Sequence, residues 1–250
     1  SRKSAPPQTP SPPVPIVFVH GAAAGAHVCF FQLQALSQHT HLFALDLPGH
    51  GCSNPIHPNQ VTIPRYASFL TEFLESLQLP PCLLVGHSMG GAVLMHAALH
   101  APQRVAGLLL ASTAARLPVS PKLFQLIEHD LDAFPRFLAK RGFSPETPDS
   151  LIEEWTSQPL HATPHTVYAD FKACDALDLT PHLPHLADLQ IPTKILWGEH
   201  DIMVSRRRAQ ALADALTDGH LHIIKNAGHM VFQEAPTPAN AHLVELLNSL

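Results

Sequence analysis

A chain of 250 residues can hold one large α/β domain or two small ones, with ample apolar material for a core. Its net charge of −5, counted with histidines neutral, leaves no electrostatic footprint for DNA, RNA or an anionic membrane surface. The four cysteines, Cys29, Cys52, Cys82 and Cys174, form no C-x-x-C pair, which argues against a zinc site and against a dense disulfide framework.

In chain order, residues 1–15 are rich in Pro and Ser, and no apolar stretch of the kind a secretion signal needs follows them. They read as a flexible tail. No run approaches the ~18 apolar residues of a membrane span, so a cytoplasmic setting is expected. Residues 16–19 form a short β-branched and aromatic run ending in His20-Gly21, and residues 42–47 form another ending in Asp46-Leu47-Pro48-Gly49-His50-Gly51. Runs of the same type recur at 82–85, 105–110, 194–197 and 221–224, and helical stretches at 27–37, 63–77, 92–100 and 205–216 separate most of them. This alternation predicts an α/β fold with a mostly parallel central sheet flanked by helices. Right-handed crossovers then bring every strand's carboxyl end to one edge, where open α/β sheets bind their ligands.

The alternation breaks between residues 113 and 190, where proline-punctuated helical pieces are expected at 121–131, 132–141, 148–155 and 164–176. Leu123, Leu126, Ile127, Phe134, Phe137 and Leu138 fall near i, i+3, i+4 spacing. We read 113–190 as a helical cap over the sheet edge, with 16–112 and 191–250 as the core. Met89, Phe124, Phe134 and Trp155 are candidate walls of an apolar pocket under it. Arg206-Arg207-Arg208 reads as a solvated helix face. The histidines of Pro181-His182-Leu183-Pro184-His185 lie in a proline-broken loop that holds ligands poorly, so neither a metal nor a cofactor is expected.

The most informative stretch is Leu84-Val85-Gly86-His87-Ser88-Met89-Gly90-Gly91-Ala92. An apolar strand runs into a serine and then into a helix with almost no room to turn. The flanking glycines allow the close approach and leave Ser88 on a strained backbone with its hydroxyl lifted clear of the sheet. Two further residues stand just past strand ends: Asp201 in Gly198-Glu199-His200-Asp201, and His229 in Asn226-Ala227-Gly228-His229. Glu199 and Asp175 are competing acids. His20 and His50 read as turn residues, and His87 as a residue packed beside the elbow or touching substrate.

Taken together, His20-Gly21, Asp46 to Ser53, Gly86 to Gly91, Gly198 to Asp201 and Gly228-His229 resemble the α/β-hydrolase fold superfamily over about residues 16–250. The order Ser88, Asp201, His229 is the chain order of that superfamily. The resemblance implies Ser88 as nucleophile, His229 as general base and Asp201 as the group that orients the imidazole. It also implies an oxyanion hole built from the backbone N–H groups of Ala22 and Met89.

A serine at the elbow argues against enzymes similar to haloalkane dehalogenases and epoxide hydrolases, whose nucleophile is an aspartate. Gly86-His87-Ser88-Met89-Gly90-Gly91 is similar to esterases and lipases more than to proline iminopeptidases. The expected activity is hydrolysis of a small-molecule carboxylic ester with a short to medium acyl chain. Carbon–carbon bond hydrolases and haloperoxidases use related turns, and a non-catalytic small-molecule binder is a further alternative. A methyl ester esterase of the biotin-pathway type would need an acidic acyl carrier protein as partner, with Lys122, Arg136, Lys140 and Arg141 as its basic surface.

Overall fold

A computed structural model describes residues 13–216 and 220–250. Six parallel strands form one sheet in the order β2-β1-β3-β4-β5-β6. They are β1 (Ile16–Val19), β2 (Leu42–Leu45), β3 (Cys82–His87), β4 (Val105–Ala111), β5 (Thr193–Gly198) and β6 (His220–Ile224). Most of the expected tail, residues 1–12, lies outside the described residues. Val14 and Pro15 join the sheet edge: the Val14 carbonyl accepts the Thr40 hydroxyl at 2.8 Å and the Pro15 carbonyl accepts Leu83 N–H at 2.9 Å.

Side chains alternate between the faces of the sheet with the period of 2 that a pleated strand imposes. Val17, Val19, Leu84, Leu108, Leu110, Ile195 and Trp197 point to one face. There they meet α2 (Ile63–Ser76), α3 (Met89–His100) and α9 (Arg206–Ala215). Ile16, Phe18, Leu83, Val85, Leu109 and Leu196 point to the other, against α1 (Phe30–Leu36), α10 (Val231–Glu234) and α11 (Pro236–Asn248). Burial on both faces explains why β1, β3, β4 and β5 read as continuous apolar runs, while the edge strands β2 and β6 are partly exposed.

The chain reverses its direction of travel across the sheet between β1 and β3, which are hydrogen-bonded neighbours. The loops after these two strands therefore open into a crevice at their carboxyl ends, the topological position where α/β sheets take ligands. Between β4 and β5 lie α4 (Pro121–His129), α5 (Phe134–Gly142), α6 (Asp149–Ser157), α7 (Pro164–Asp175) and α8 (Leu183–Asp188). Leu123, Ile127, Phe134, Leu138, Val167 and Phe171 give α4, α5 and α7 a core of their own.

Several elements differ from the sequence reading. Helix α3 begins at Met89, three residues before the expected 92, because Gly90 and Gly91 serve close packing and not a turn. A Cβ on Gly90 would run into the Val19 carbonyl oxygen, and one on Gly86 would lie 2.6 Å from Gly91 N. Helices α8 and α11 carry no sequence expectation. Each helix holds a proline in its first turn, where the missing N–H costs nothing.

Candidate active site

Ser88 stands between β3 and α3 with φ 52° and ψ −115°, a conformation that an L-residue holds only when its surroundings fix it. Its N–H donates to Ala111 O at 2.9 Å and its carbonyl accepts Gly91 N–H at 3.0 Å. The hydroxyl has no partner among the described residues, and Ser88 lines a pocket together with His229. Met89 is the first residue of α3, so its N–H has no carbonyl one turn earlier inside the helix and is an orphan donor. Gly21, Ala22, Ala23 and Ala24 form the facing wall of the pocket.

His229 is 2% exposed and Asp201 4% exposed. His229 Nδ1–H donates to Asp201 Oδ2 at 2.9 Å, and Asp201 Oδ1 accepts the N–H groups of Met203 and Val204 at 2.8 and 2.9 Å. The aspartate thus keeps Nδ1 protonated and leaves Nε2 as the basic nitrogen. Neither competing acid makes this contact. Glu199 accepts Asn226 N–H at 3.2 Å, and Asp175 accepts Val119 N–H at 2.9 Å on the surface.

A second carboxylate holds the His229 loop from behind. Glu234 Oε1 accepts Gly228 N–H at 2.9 Å and Met230 N–H at 3.0 Å, one on each side of His229. Its Oε2 accepts Ser144 N–H at 2.7 Å and the Thr147 hydroxyl at 2.6 Å, tying that loop to the segment between α5 and α6. His229 N–H itself donates to Gly142 O at 2.6 Å. His87 Nε2–H donates to the His229 carbonyl at 2.9 Å, and burial, reinforced by His229, pulls the His87 imidazole down to about 3. It lines the pocket as a neutral group.

The pocket has a volume of about 70 Å³, and its apolar walls are Phe134, Leu138, Trp155, Leu160, Phe171 and Met203. Of the candidate walls, Phe134 and Trp155 line this pocket. Phe124 does not: it packs on Tyr168, with ring centroids 5.1 Å apart. The Met89 side chain is wholly buried in the core beside the sheet and does not line the pocket. On the polar side His27 stacks on His161 at 3.9 Å, a pair the sequence did not signal. Burial and the neighbouring His161 pull His27 down to about 4, so the His27 ring is neutral near pH 7.

His20 and His50 are more than turn residues. His20 Nδ1–H donates to Gly21 O at 2.8 Å and its Nε2 accepts Leu47 N–H at 3.0 Å. His50 Nε2 lies 2.8 Å from Asp170 Oδ2, on α7. Lys122, Arg136, Lys140 and Arg141 are exposed, and exposed Glu128, Asp130 and Asp132 share the same stretch of chain. No helix among the described residues is long and apolar enough to cross a membrane.

The sheet, the elbow and the shared pocket define an α/β enzyme of the hydrolase class. The model of the alpha/beta hydrolase family matches residues 16–241, and the chain belongs to that family. It is 25% identical over 236 residues to (E)-2-((N-methylformamido)methylene)succinate hydrolase of Acinetobacter baylyi, covering 90% of this chain and 87% of the relative. It is 26% identical over 256 aligned positions to monoacylglycerol lipase ABHD6 of Bos taurus, covering 94% of this chain and 75% of that protein. Among solved structures, a thermophilic esterase from Thermogutta terrifontis superposes with a TM-score of 0.82 at 27% identity, covering 95% of this chain and 90% of that one. An esterase from Exiguobacterium antarcticum reaches a TM-score of 0.87 at 21% identity over 95% of this chain and 92% of its own, which speaks to the fold alone.

Proposed function

We propose that this protein hydrolyses carboxylic esters of short acyl chains through an acyl-serine intermediate. The observation that carries this reading is the buried 2.9 Å contact between His229 Nδ1 and Asp201 Oδ2, beside a serine held at φ 52° in the same pocket.

In the proposed mechanism His229 Nε2 takes the proton of the Ser88 hydroxyl as the oxygen attacks the ester carbonyl. Asp201 stabilises the imidazolium that forms. The Ser88–His229 hydrogen bond closes when substrate enters, as contacts of this kind often do. The N–H groups of Ala22 and Met89 donate to the oxyanion, the latter reinforced by the positive end of α3. The proton then passes to the departing alkoxide, and water, activated by the same nitrogen, releases the acid.

In this reading residues 113–190 act as a cap whose α5, α6 and α7 supply the acyl wall. An ordered water needs about 10–15 Å³ of such space, so a pocket of about 70 Å³ suits an acyl group of a few carbons. The esterase and monoacylglycerol lipase relatives support the ester bond as the target. The test is a series of p-nitrophenyl esters from acetate to octanoate, assayed with wild type and Ser88→Ala. The expected result is a kcat/KM maximum at the short end, abolished in the variant. No turnover anywhere in the series sinks the proposal.

A further inference from the structure

A group of buried polar side chains has no part in the chemistry just described. Asp170 of α7, Tyr66 of α2 and His50 of the loop after β2 are each 0–1% exposed. Asp170 Oδ1 accepts the Tyr66 hydroxyl at 2.8 Å. Its Oδ2 lies 2.8 Å from His50 Nε2 and accepts Ala23 N–H at 2.9 Å. A carboxylate out of water is costly unless its oxygens are satisfied, and here donors from three separate parts of the chain converge on it. The His50 ring in turn rests 4.8 Å from that of His20, which holds Gly21 O.

These contacts bracket Ala22. The Gly21 carbonyl and the Ala22 N–H belong to one planar trans peptide, so they point in opposite directions. Holding the carbonyl on His20 therefore aims the Ala22 N–H away from it. The next peptide, Ala22 to Ala23, is held through its N–H by Asp170. With both flanking peptide planes pinned, the backbone angles at Ala22 have little freedom. Ala23 itself sits at φ 59°, a left-handed conformation that is unfavourable for an L-residue and needs outside contacts to persist.

We propose that Asp170 is a positioning residue for the oxyanion-binding N–H of Ala22, acting through Ala23 directly and through His50 and His20 on the Gly21 carbonyl. This rests on the ester-hydrolase reading and deepens it. One carboxylate on the helical segment sets the geometry of a donor on the loop after β1, so the packing of α7 and the strength of the oxyanion site are coupled. The role gives work to two motif residues, His20 and His50, that proton transfer does not use.

The test is Asp170→Asn, whose single side-chain oxygen cannot serve all three contacts. Turnover and the affinity for a short-chain alkyl trifluoromethyl ketone, which forms a tetrahedral adduct bearing an oxyanion, are both measured. Loss of one oxyanion donor costs about 100- to 1,000-fold in kcat, so a misaimed one is expected to cost roughly 10- to 100-fold. KM should stay within about twofold, and ketone affinity should fall by the same factor as kcat/KM. Tyr66→Phe removes one contact and leaves Ala23 held, so it should lower stability while kcat and ketone affinity stay within about threefold. Should Asp170→Asn fail to fold, His20→Gln, whose amide reaches the Nε2 position and leaves no donor at Nδ1, releases the Gly21 carbonyl with Asp170 in place and carries the same expectation. A folded variant of either kind that keeps kcat and ketone affinity overturns this inference alone. A wild type that neither turns over esters nor binds the ketone overturns it together with the reading on which it rests.

Discussion

The Asp201 carboxylate divides its oxygens between two tasks: Oδ2 takes His229 Nδ1–H at 2.9 Å, while Oδ1 is held by the N–H groups of Met203 and Val204. The acid is thus fixed by its own loop before it meets the imidazole. Its partner is fixed just as firmly through Gly142, His87 and Glu234.

Asp201→Asn preserves the shape and inverts the tautomer preference of His229. An amide nitrogen facing Nδ1 favours the form with its proton on Nε2, which cannot accept from Ser88. On the proposed mechanism kcat falls by about 10³–10⁴. Steady-state kinetics with p-nitrophenyl butyrate checks this, and a loss under tenfold would remove Asp201 from its role.

Trp155 is half-buried, lines the pocket and meets the Phe143 ring edge-on at 5.6 Å. Trp155→Ala enlarges the pocket at its apolar end. The expected outcome is a shift in preference toward longer chains, read as a rise in the octanoate to acetate ratio of kcat/KM by about tenfold, since one or two added methylenes in a pocket are worth ~1–3 kcal/mol.

Glu234→Ala strips acceptors from Gly228, Met230, Ser144 and Thr147 at once. Glu234 is half-exposed, so water replaces part of what is lost. We expect roughly 2–3 kcal/mol of destabilisation, since an orphaned buried donor costs about 1–3 kcal/mol. Urea unfolding measures it. Glu234→Gln, which keeps one acceptor oxygen, should recover part of the loss.

Stability should depend on pH in a direction set by three buried imidazoles. Burial, with His229 adding to it, holds His87 down to about 3, and burial, with His50 adding to it, holds His20 down to about 4. His20 has a further reason, because its Nε2 must stay unprotonated to accept Leu47 N–H. Unfolded, both return to about 6.5, so between that value and their folded values the unfolded chain binds more protons. Their contribution is complete above about pH 6.5 and is lost as pH falls, on the order of several kcal/mol in all. His50 has the opposite sign. Burial would lower it, but the hydrogen bond to Asp170 and that carboxylate's charge outweigh burial and raise it. Its contribution is complete below about pH 6.5 and fades as pH rises through its raised folded value. Urea midpoints should therefore fall steeply from pH 7 to pH 4. His87→Gln, which keeps a donor for the His229 carbonyl, should flatten that slope, and an unchanged slope would contradict the assignment.

Strands β1, β3, β4 and β5 were legible because doubly buried strands write themselves as short apolar runs, and Ser88, Asp201 and His229 stood out as polar residues shortly after strand ends. The edge strands β2 and β6 are partly exposed and gave a weaker signal. Asp170 was not. It lies inside α7, in a stretch with no turn chemistry around it, and its partners are 104, 120 and 147 residues away in sequence. Glu234 lies only five residues beyond His229, yet a single acid after a glycine turn carries no signal of the four donors it gathers. Phe124 and Phe134 look alike as apolar positions on helices. Only the packing of α4 against α7 turns the first toward Tyr168 and leaves the second to the pocket.

The central claim is that Ser88 is an activated nucleophile. Its most direct measurement is the site of modification after treatment with an alkyl fluorophosphonate, mapped by peptide mass spectrometry in wild type and Ser88→Ala. The account predicts a single phosphonyl adduct on the peptide containing Ser88, absent from the variant. An unmodified Ser88, or an adduct that persists in Ser88→Ala, would contradict it.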